Sequence, residues 1–431
     1  MRVGFARVDI TPPVGTELTG FIARDAPSAG VHDRLFARAL AFEDGGARAA
    51  VVSVDLIGLG RNLVGRLRGR VASATGIPPE HQLYAATHTH GGPETGVIST
   101  LAAPSIPYLI DLEKSIVRSV ERAVESLEPA LIGYGDAESA VGQNRIFARD
   151  GAEGPYDPTL GVIRISSTSG RPLATLVNYA CHATAAGPVG LINADYPGRL
   201  AAALEASGYG PVVFVNGAGA DVNPRGIDGR GVELAERVGD SLAADVAPIW
   251  RRIEPSEWAG IHGRIEGVRL PLRPLPDEAE VAALQEEGRR IVESAAPGSL
   301  EARAAAITHA RYAAQIAEII FGRRDAPDAV ISEVQSLGIG PVVFAALPGE
   351  SFTSAGRAAR RAFDRPTVIA GWANDLVGYI ADESAYQRGG YEVELAHRYY
   401  GLPAPFATSA LDEVVEACRR LSSWLGAVAT S

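Results

Sequence analysis

Two histidines stand one residue apart in Thr87-His88-Thr89-His90, and a third, His182, follows a separate apolar run. Glu350 and Tyr379 each lie just past another such run, and so does the Asn216-Gly217 pair. The runs are 82–86, 173–181, 212–215, 342–347 and 367–372. Each is short, apolar or β-branched, and closed by Gly, Pro or a polar residue, which reads as a buried strand. In open α/β sheets, ligands bind beyond the carboxyl ends of the strands. Imidazole and carboxylate at such ends are the ligand types of a hydrolytic zinc site. In extended chain, residues i and i+2 share a face, so His88 and His90 can reach one cavity, one as ligand and one as acid/base. Each residue alone has a plainer reading. The His pair could cap or lie on the surface, and His182 could be a satisfied core histidine. Glu350, just before Ser351-Phe352-Thr353, could be a first-turn glutamate favoured by a helix dipole, and Tyr379 could be core. Their joint position at strand ends is what favours a site.

The elements that must carry these residues alternate. Segments 3–10, 35–42, 49–55, 131–134, 161–165 and 173–179 read as further strands. Segments 63–74, 109–127, 197–206 and 232–246 read as helices. Asp195 sits near the start of the third helix and Pro197 suits its first turn. Beyond Trp258, residues 260–272 alternate polar and apolar, as a half-exposed antiparallel strand does. Residues 277–321 are polar and rich in Ala and Glu, broken at Pro297-Gly298, and read as a helical hairpin. The sheet resumes over 331–347, and 411–425 is a last helix. The predicted fold is α/β: a mixed central sheet flanked by helices, one domain over 1–431 with a helical insertion at 274–330.

Composition narrows the partners. The chain has 431 residues, 46% hydrophobic and 21% charged, with a formal net charge of −11. That balance argues against nucleic acid, which needs basic clusters, and against an anionic membrane surface. No apolar stretch reaches the roughly 18 residues that a bilayer span requires. The opening Met1-Arg2-Val3-Gly4-Phe5-Ala6 reads as a first strand rather than a leader, so a cytoplasmic location is expected. Cys181 and Cys418 are too few for a disulfide framework, and Cys181 is expected to be a buried thiol turned away from His182. A homo-oligomer is compatible with this composition.

Between Asn216 and Arg225 lies a glycine-rich stretch, Asn216-Gly217-Ala218-Gly219-Ala220-Asp221-Val222-Asn223-Pro224-Arg225. It matches neither a phosphate-binding loop nor a dinucleotide fingerprint, since Pro224 interrupts any helix. Its glycines suggest close backbone approach to a substrate.

Several motifs resemble the neutral/alkaline (non-lysosomal) ceramidase family. They are Asp9-Ile10-Thr11-Pro12-Pro13, Arg34-Leu35-Phe36-Ala37-Arg38-Ala39, Ala86-Thr87-His88-Thr89-His90-Gly91-Gly92-Pro93, Asn178-Tyr179-Ala180-Cys181-His182-Ala183-Thr184 and Ala194-Asp195-Tyr196-Pro197-Gly198. A C-terminal block, Ala373-Asn374 with Gly378-Tyr379, Glu383, Tyr386 and Gly390-Tyr391-Glu392, is similar too. The resemblance implies a zinc-dependent amide hydrolase with one Zn²⁺ per chain. On it, His88, His182, Glu350 and Tyr379 fall at the zinc ligands and His90 beside the metal as acid/base. Arg145 falls on the arginine facing the scissile carbonyl, and Tyr391 on a second active-site tyrosine. A metal-bound water attacks the amide carbon in that family, and zinc brings such a water to a pKa of about 7.

The chain departs from the family where Gly-Asp-x-Ser-Pro-Asn is replaced by Ala220-Asp221-Val222-Asn223-Pro224-Arg225. Asn223 stands in place of the serine, so a covalent serine route is excluded and the water route survives. Asn223 and Arg225 are then candidate substrate contacts, the latter for a carboxylate or phosphate. The family's immunoglobulin-like C-terminal domain is also expected to be missing. The expected activity is therefore amide hydrolysis of a soluble or short-chain N-acyl substrate. True ceramidase activity, ester or lactone hydrolysis at the same metal, and a silent binding protein on this fold remain the alternatives.

Overall fold

The computed structural model describes residues 1–98 and 100–428. The larger sheet has eight strands in the spatial order Val212–Asn216, Pro172–Tyr179, Thr159–Ser167, Glu128–Glu138, Arg2–Asp9, Phe36–Asp44, Ala47–Val54, Gln82–Ala86. Only its two edge strands run parallel to their neighbours, Gln82–Ala86 beside Ala47–Val54 and Val212–Asn216 beside Pro172–Tyr179. Both edges are buried along their whole length, which is why they read as unbroken apolar runs. The sheet is narrow at its middle, where Arg2–Asp9 and Glu128–Glu138 pair only through Arg2↔Pro129 and Val3↔Glu128. Its two halves fold toward each other: Ser53 Oγ, on the strand beside one edge, donates to the carbonyl of Phe214 on the other edge strand at 2.6 Å.

A second sheet orders Ile261–Pro271, Ala329–Ile339, Val342–Ala346 and Thr367–Ala370, the last pair parallel. It shares one core with the first: Leu40, Val51, Leu83 and Val215 pack with Leu337, Phe344 and Val368. Each such fully buried side chain is worth about 1.5–3 kcal/mol of transfer free energy. The final helix, Ser409–Val428, covers the second sheet with Val414, Cys418, Leu421 and Leu425. The predicted α/β class with a mixed sheet is what the structure shows.

The expected hairpin is present. Its first arm, Glu278–Ser294, opens on a capping box in which Asp277 and Glu280 exchange side-chain-to-backbone bonds. Gly298, with φ of 75°, makes the turn. The second arm runs from Leu300–Ala305 through a π-helical turn, Ala306–Arg311, into Tyr312–Ile320. The arms enclose their own small core of Val281, Tyr312, Ala313, Ile316 and Ile319.

One plainer reading and one strand boundary give way, both at left-handed residues. Glu350 does not open a helix. Gly349, at φ of 62°, turns the chain into a two-residue strand, Glu350–Ser351, parallel to Tyr379–Ile380, and the helix starts only at Thr353. The 367–372 strand stops at Ala370, because Trp372 adopts a φ of 47°.

Candidate active site

One edge strand and the inner neighbour of the other edge deliver the histidines. His88 follows Gln82–Ala86 and His182 follows Pro172–Tyr179. Asn216, the last residue of Val212–Asn216, joins them: its amide donates to the carbonyls of Thr87 and Cys181 at 3.0 and 2.9 Å and accepts from Cys181 N at 3.2 Å. The His pair converges by a different route from strand alternation. His88 has a φ of 63°, so the segment is a left-handed turn rather than extended chain. Trp372 stacks on the His88 ring at 4.4 Å and 20°, holding that strained conformer.

The three rings meet at their Nε2 atoms. His88 Nε2 lies 3.2 Å from both His182 Nε2 and His90 Nε2. Glu350 Oε2 lies 3.6 Å from His88 Nε2 and 3.2 Å from His182 Nε2. Each Nδ1 faces a backbone carbonyl: Ile57 at 2.6 Å for His88, Gly20 at 3.0 Å for His90, Gly219 at 3.2 Å for His182. A carbonyl only accepts, so each Nδ1 carries the hydrogen and each Nε2 keeps its lone pair. Burial, the largest cause, keeps all three rings from protonating, pushing His88 down to about 3 and His90 and His182 well below the usual range. Three lone pairs therefore meet, and those of His88 and His182 also face a Glu350 oxygen that has no hydrogen-bond partner. Such donors repel one another unless a cation lies among them, and carbonyl-oriented histidines are the usual second shell of a metal site. The His88, His90 and His182 group, with His88 and His182 buried and His90 half-buried, could thus hold a metal ion. Glu350 fits as a further ligand, with its other oxygen accepting from Tyr400 Oη.

A pocket of about 240 Å³ opens beside this cluster. His90, His182, Tyr379, Arg145 and Tyr391 face it. Tyr379 is placed by the Glu350↔Tyr379 backbone pairing, and its oxygen accepts from Arg145 Nη2 at 3.0 Å. Arg145 Nε also pairs with Glu392 at 2.9 Å. Burial would raise the Glu392 carboxyl, but Arg145 and Arg149 hold it below the usual range. The Tyr391 ring lies 5.9 Å from that of Tyr379. Asn144 caps the short helix carrying Arg145, accepting from Ile146 N and Phe147 N, while Asp221 takes Asn144 Nδ2 and Thr353 N. Asp221 thereby ties the Arg145 turn to the helix after Glu350.

Of the residues singled out in sequence, His88, His90, His182, Glu350, Tyr379, Arg145, Tyr391 and Asn223 come together here. Arg225 does not. Its Nε donates to the carbonyl of Ala140 at 3.0 Å and its Nη1 pairs with Glu153 at 3.1 Å, on a different surface. Pro224 ends the short strand and Gly226 turns the chain at φ of 78°, carrying Arg225 outward. The glycine-rich loop also serves another purpose than substrate approach. A Cβ on Gly219 would stand 2.6 Å from the Cys181 nitrogen, so the close partner is the protein's own backbone beneath His182. Cys181 is buried in the core with Tyr196 and Leu200. Trp372, Tyr400 and Glu392 were given no role from sequence, and Asn216 was singled out as a strand end without its bridging role. Asn216 alone carried a signal, as the polar residue that closes an apolar run.

Residues 1–211 match the family described as neutral/alkaline non-lysosomal ceramidase, N-terminal. The neutral ceramidase of Pseudomonas aeruginosa is 29% identical over 203 residues, 42% of this chain and 30% of that protein. The neutral ceramidase of Drosophila melanogaster is 29% identical over 226 residues, 47% of this chain and 32% of that protein. The matched segment thus spans about a third of these relatives' length. A solved structure described as ceramidase complexed with C2 superposes with a TM-score of 0.77 at 19% identity, covering 99% of this chain and 75% of that one. The crystal structure of the Pseudomonas aeruginosa neutral ceramidase gives 0.72 at 21% identity, covering 97% and 75%. The fold is therefore shared along nearly the whole chain, and residues 1–211 carry a sequence likeness to the neutral/alkaline non-lysosomal ceramidase family.

Proposed function

We propose that this protein is a zinc-dependent amidohydrolase that cleaves the amide of a soluble or short-chain N-acyl substrate. The observation that carries the reading is the meeting of three neutral Nε2 lone pairs, two of which, on His88 and His182, also face the unpartnered Glu350 oxygen. His88, His182 and Glu350 are the proposed ligands, with Tyr379 completing the set. A zinc ion held there would supply Lewis acidity and a water of lowered pKa.

The remaining roles belong to the chain's own groups. His90 faces the pocket and is only half buried, unlike His88 and His182. Its Nδ1–H is held by Gly20, so its Nε2 is the free base that takes the water's proton and returns it to the departing amine nitrogen. Arg145 and Tyr391 stand where they can hold the negative charge that develops on the carbonyl oxygen; removing one such donor typically costs about 2.7–4 kcal/mol of barrier. The products are a carboxylate and a free amine. Apolar residues Phe21, Ile22, Leu101 and Tyr399 line the pocket and suit an acyl chain. Its volume of about 240 Å³ lies below the roughly 300–1,000 Å³ of typical drug-sized sites, which favours a short chain. The names of the curated relatives support the alternative, ceramide itself. Both cysteines are free and buried, which suits a reducing, cytoplasmic setting.

An acyl series (acetyl, butyryl, hexanoyl, palmitoyl) on one amine, run with zinc-loaded protein, tests the reading. The expected result is stoichiometric zinc and a rate that falls sharply at palmitoyl. A palmitoyl optimum would favour the ceramidase reading. Zinc-free protein with no cleavage of any member would end the amidohydrolase reading.

A further inference from the structure

The anion contact expected of Arg225 is available five residues later. Arg230 lines the pocket, is exposed at its rim, and has no hydrogen-bond or ion-pair partner among the described residues. The neighbouring cations are committed. Arg145 is held by Glu392 and Tyr379, and Arg24 donates to the carbonyls of Thr19, His90 and Val189. The Arg230 backbone is not free to wander: Gly231 N donates to the carbonyl of Ala185 at 3.0 Å, and the Arg230 Cβ lies 2.8 Å from where a Gly187 Cβ would stand. This packs it against the segment that follows His182. Two further polar atoms on the same pocket are unpartnered. Thr184 Oγ1 and Asn223 Oδ1 belong to residues 5% and 9% exposed, and neither has a hydrogen-bond partner. Buried polar atoms are normally paired, so these two point to a ligand.

We infer that Arg230, Thr184 and Asn223 form an anion subsite, and that the substrate is an N-acyl amino acid whose carboxylate pairs with Arg230. This rests on the amidohydrolase reading for the bond that is cut. A carboxylate takes the planar guanidinium fork and the Thr184 hydroxyl. Asn223 Oδ1 is left to accept the substrate's one amide N–H. The apolar residues Phe21, Ile22, Leu101 and Tyr399 take the acyl chain. A ceramide offers hydroxyls and no charge, and would leave the guanidinium unneutralised.

The test uses full-length, metal-loaded protein and two ligands that cannot be hydrolysed, pentanesulfonyl-glycine and its neutral glycinamide. Calorimetry gives the ratio of their affinities. The carboxylate is expected to bind about tenfold more tightly to the wild type. Arg230→Ala should bring the ratio close to one, Arg230→Lys should restore part of it, and Arg225→Ala should leave it as in the wild type. Equal affinities in the wild type, or a ratio that Arg230→Ala does not change, overturns the inference. Cleavage of hexanoylglycine is measured separately: no turnover alongside Arg230-dependent binding sinks the hydrolytic reading and upholds the subsite.

Discussion

Asn216 does for the candidate metal centre what no ligand can do for itself. It holds the His88 and His182 segments in register through Thr87 and Cys181. Asn216→Ala would leave the Thr87 carbonyl and the Cys181 N–H buried and unpaired, at about 1–3 kcal/mol each before relaxation, while the Cys181 carbonyl keeps the Tyr196 hydroxyl at 2.7 Å. Loss of such outer contacts typically weakens a metal about 10–100-fold. Urea melts and a zinc competition titration should show both effects, and an unchanged zinc affinity would mean that the histidines do not depend on this bridge. The histidines themselves separate by variant. His88→Ala should abolish both zinc and turnover. His90→Ala should keep zinc within about twofold and lose at least about a hundredfold in turnover, the usual contribution of a positioned acid/base. The geometry makes this a sharp test, since His90 Nε2 is as near to His88 as His182 is. Zinc loss in His90→Ala would make it a ligand.

Elements carried most of what could be read in advance. The apolar runs ending before His88 and at Asn216 located their strand ends correctly, because both parallel edge strands are buried on every side and cannot alternate. What could not be read are the places where a left-handed residue redirects the chain. His88, Trp372 and Gly349 each do so, at φ of 63°, 47° and 62°, and nothing in local propensity asks a His or Trp to adopt that region. Arg225 was misplaced for the same reason, through the turn at Gly226. The helical insertion was visible as an element but its role was not. None of its residues lines the pocket. It stands behind the wall instead: Ile307, in the π-helical turn, packs against the cluster of Ile57, Ile98 and Tyr399 that Ile22 and Leu101 also pack on, and Arg398 donates to the carbonyl of Thr308. Ile307→Ala should therefore loosen the apolar wall and shift the acyl preference toward longer chains, with zinc content unchanged. The acyl series gives the readout, and an unaltered length profile would confine the insertion to a purely structural part.

At the scale of the whole molecule, buried titratable groups of two kinds oppose each other in mild acid. Burial lowers His88, His90, His182 and His397, and it raises Asp55, Asp195, Asp221 and Asp375. A histidine with a lowered folded pKa binds its proton first in the unfolded chain, so stability falls as pH drops below about 6.5. A buried aspartate with a raised folded pKa, as for Asp195 and Asp221 at about 6, binds its proton first in the native state. It restores stability as pH drops from about 6 toward 4. The wild-type curve is the difference of the two. His397 lies outside the metal centre and exposes their opposition cleanly. It is 6% exposed, both its ring nitrogens lack partners, and burial, then Arg398, pushes it down to about 3. Its ring meets Tyr312 edge-on at 5.2 Å, a contact that a phenyl ring can keep. His397→Phe removes a proton site that at pH 5 favours the unfolded chain by about 2 kcal/mol, the product of about 1.5 pH units and 1.36 kcal/mol. The variant should therefore gain about 2 kcal/mol more over the wild type at pH 5 than at pH 8 in paired denaturant melts. A gain that is the same at both pH values would mean that His397 takes up its proton in the folded protein, and that burial does not set the acid response of this fold.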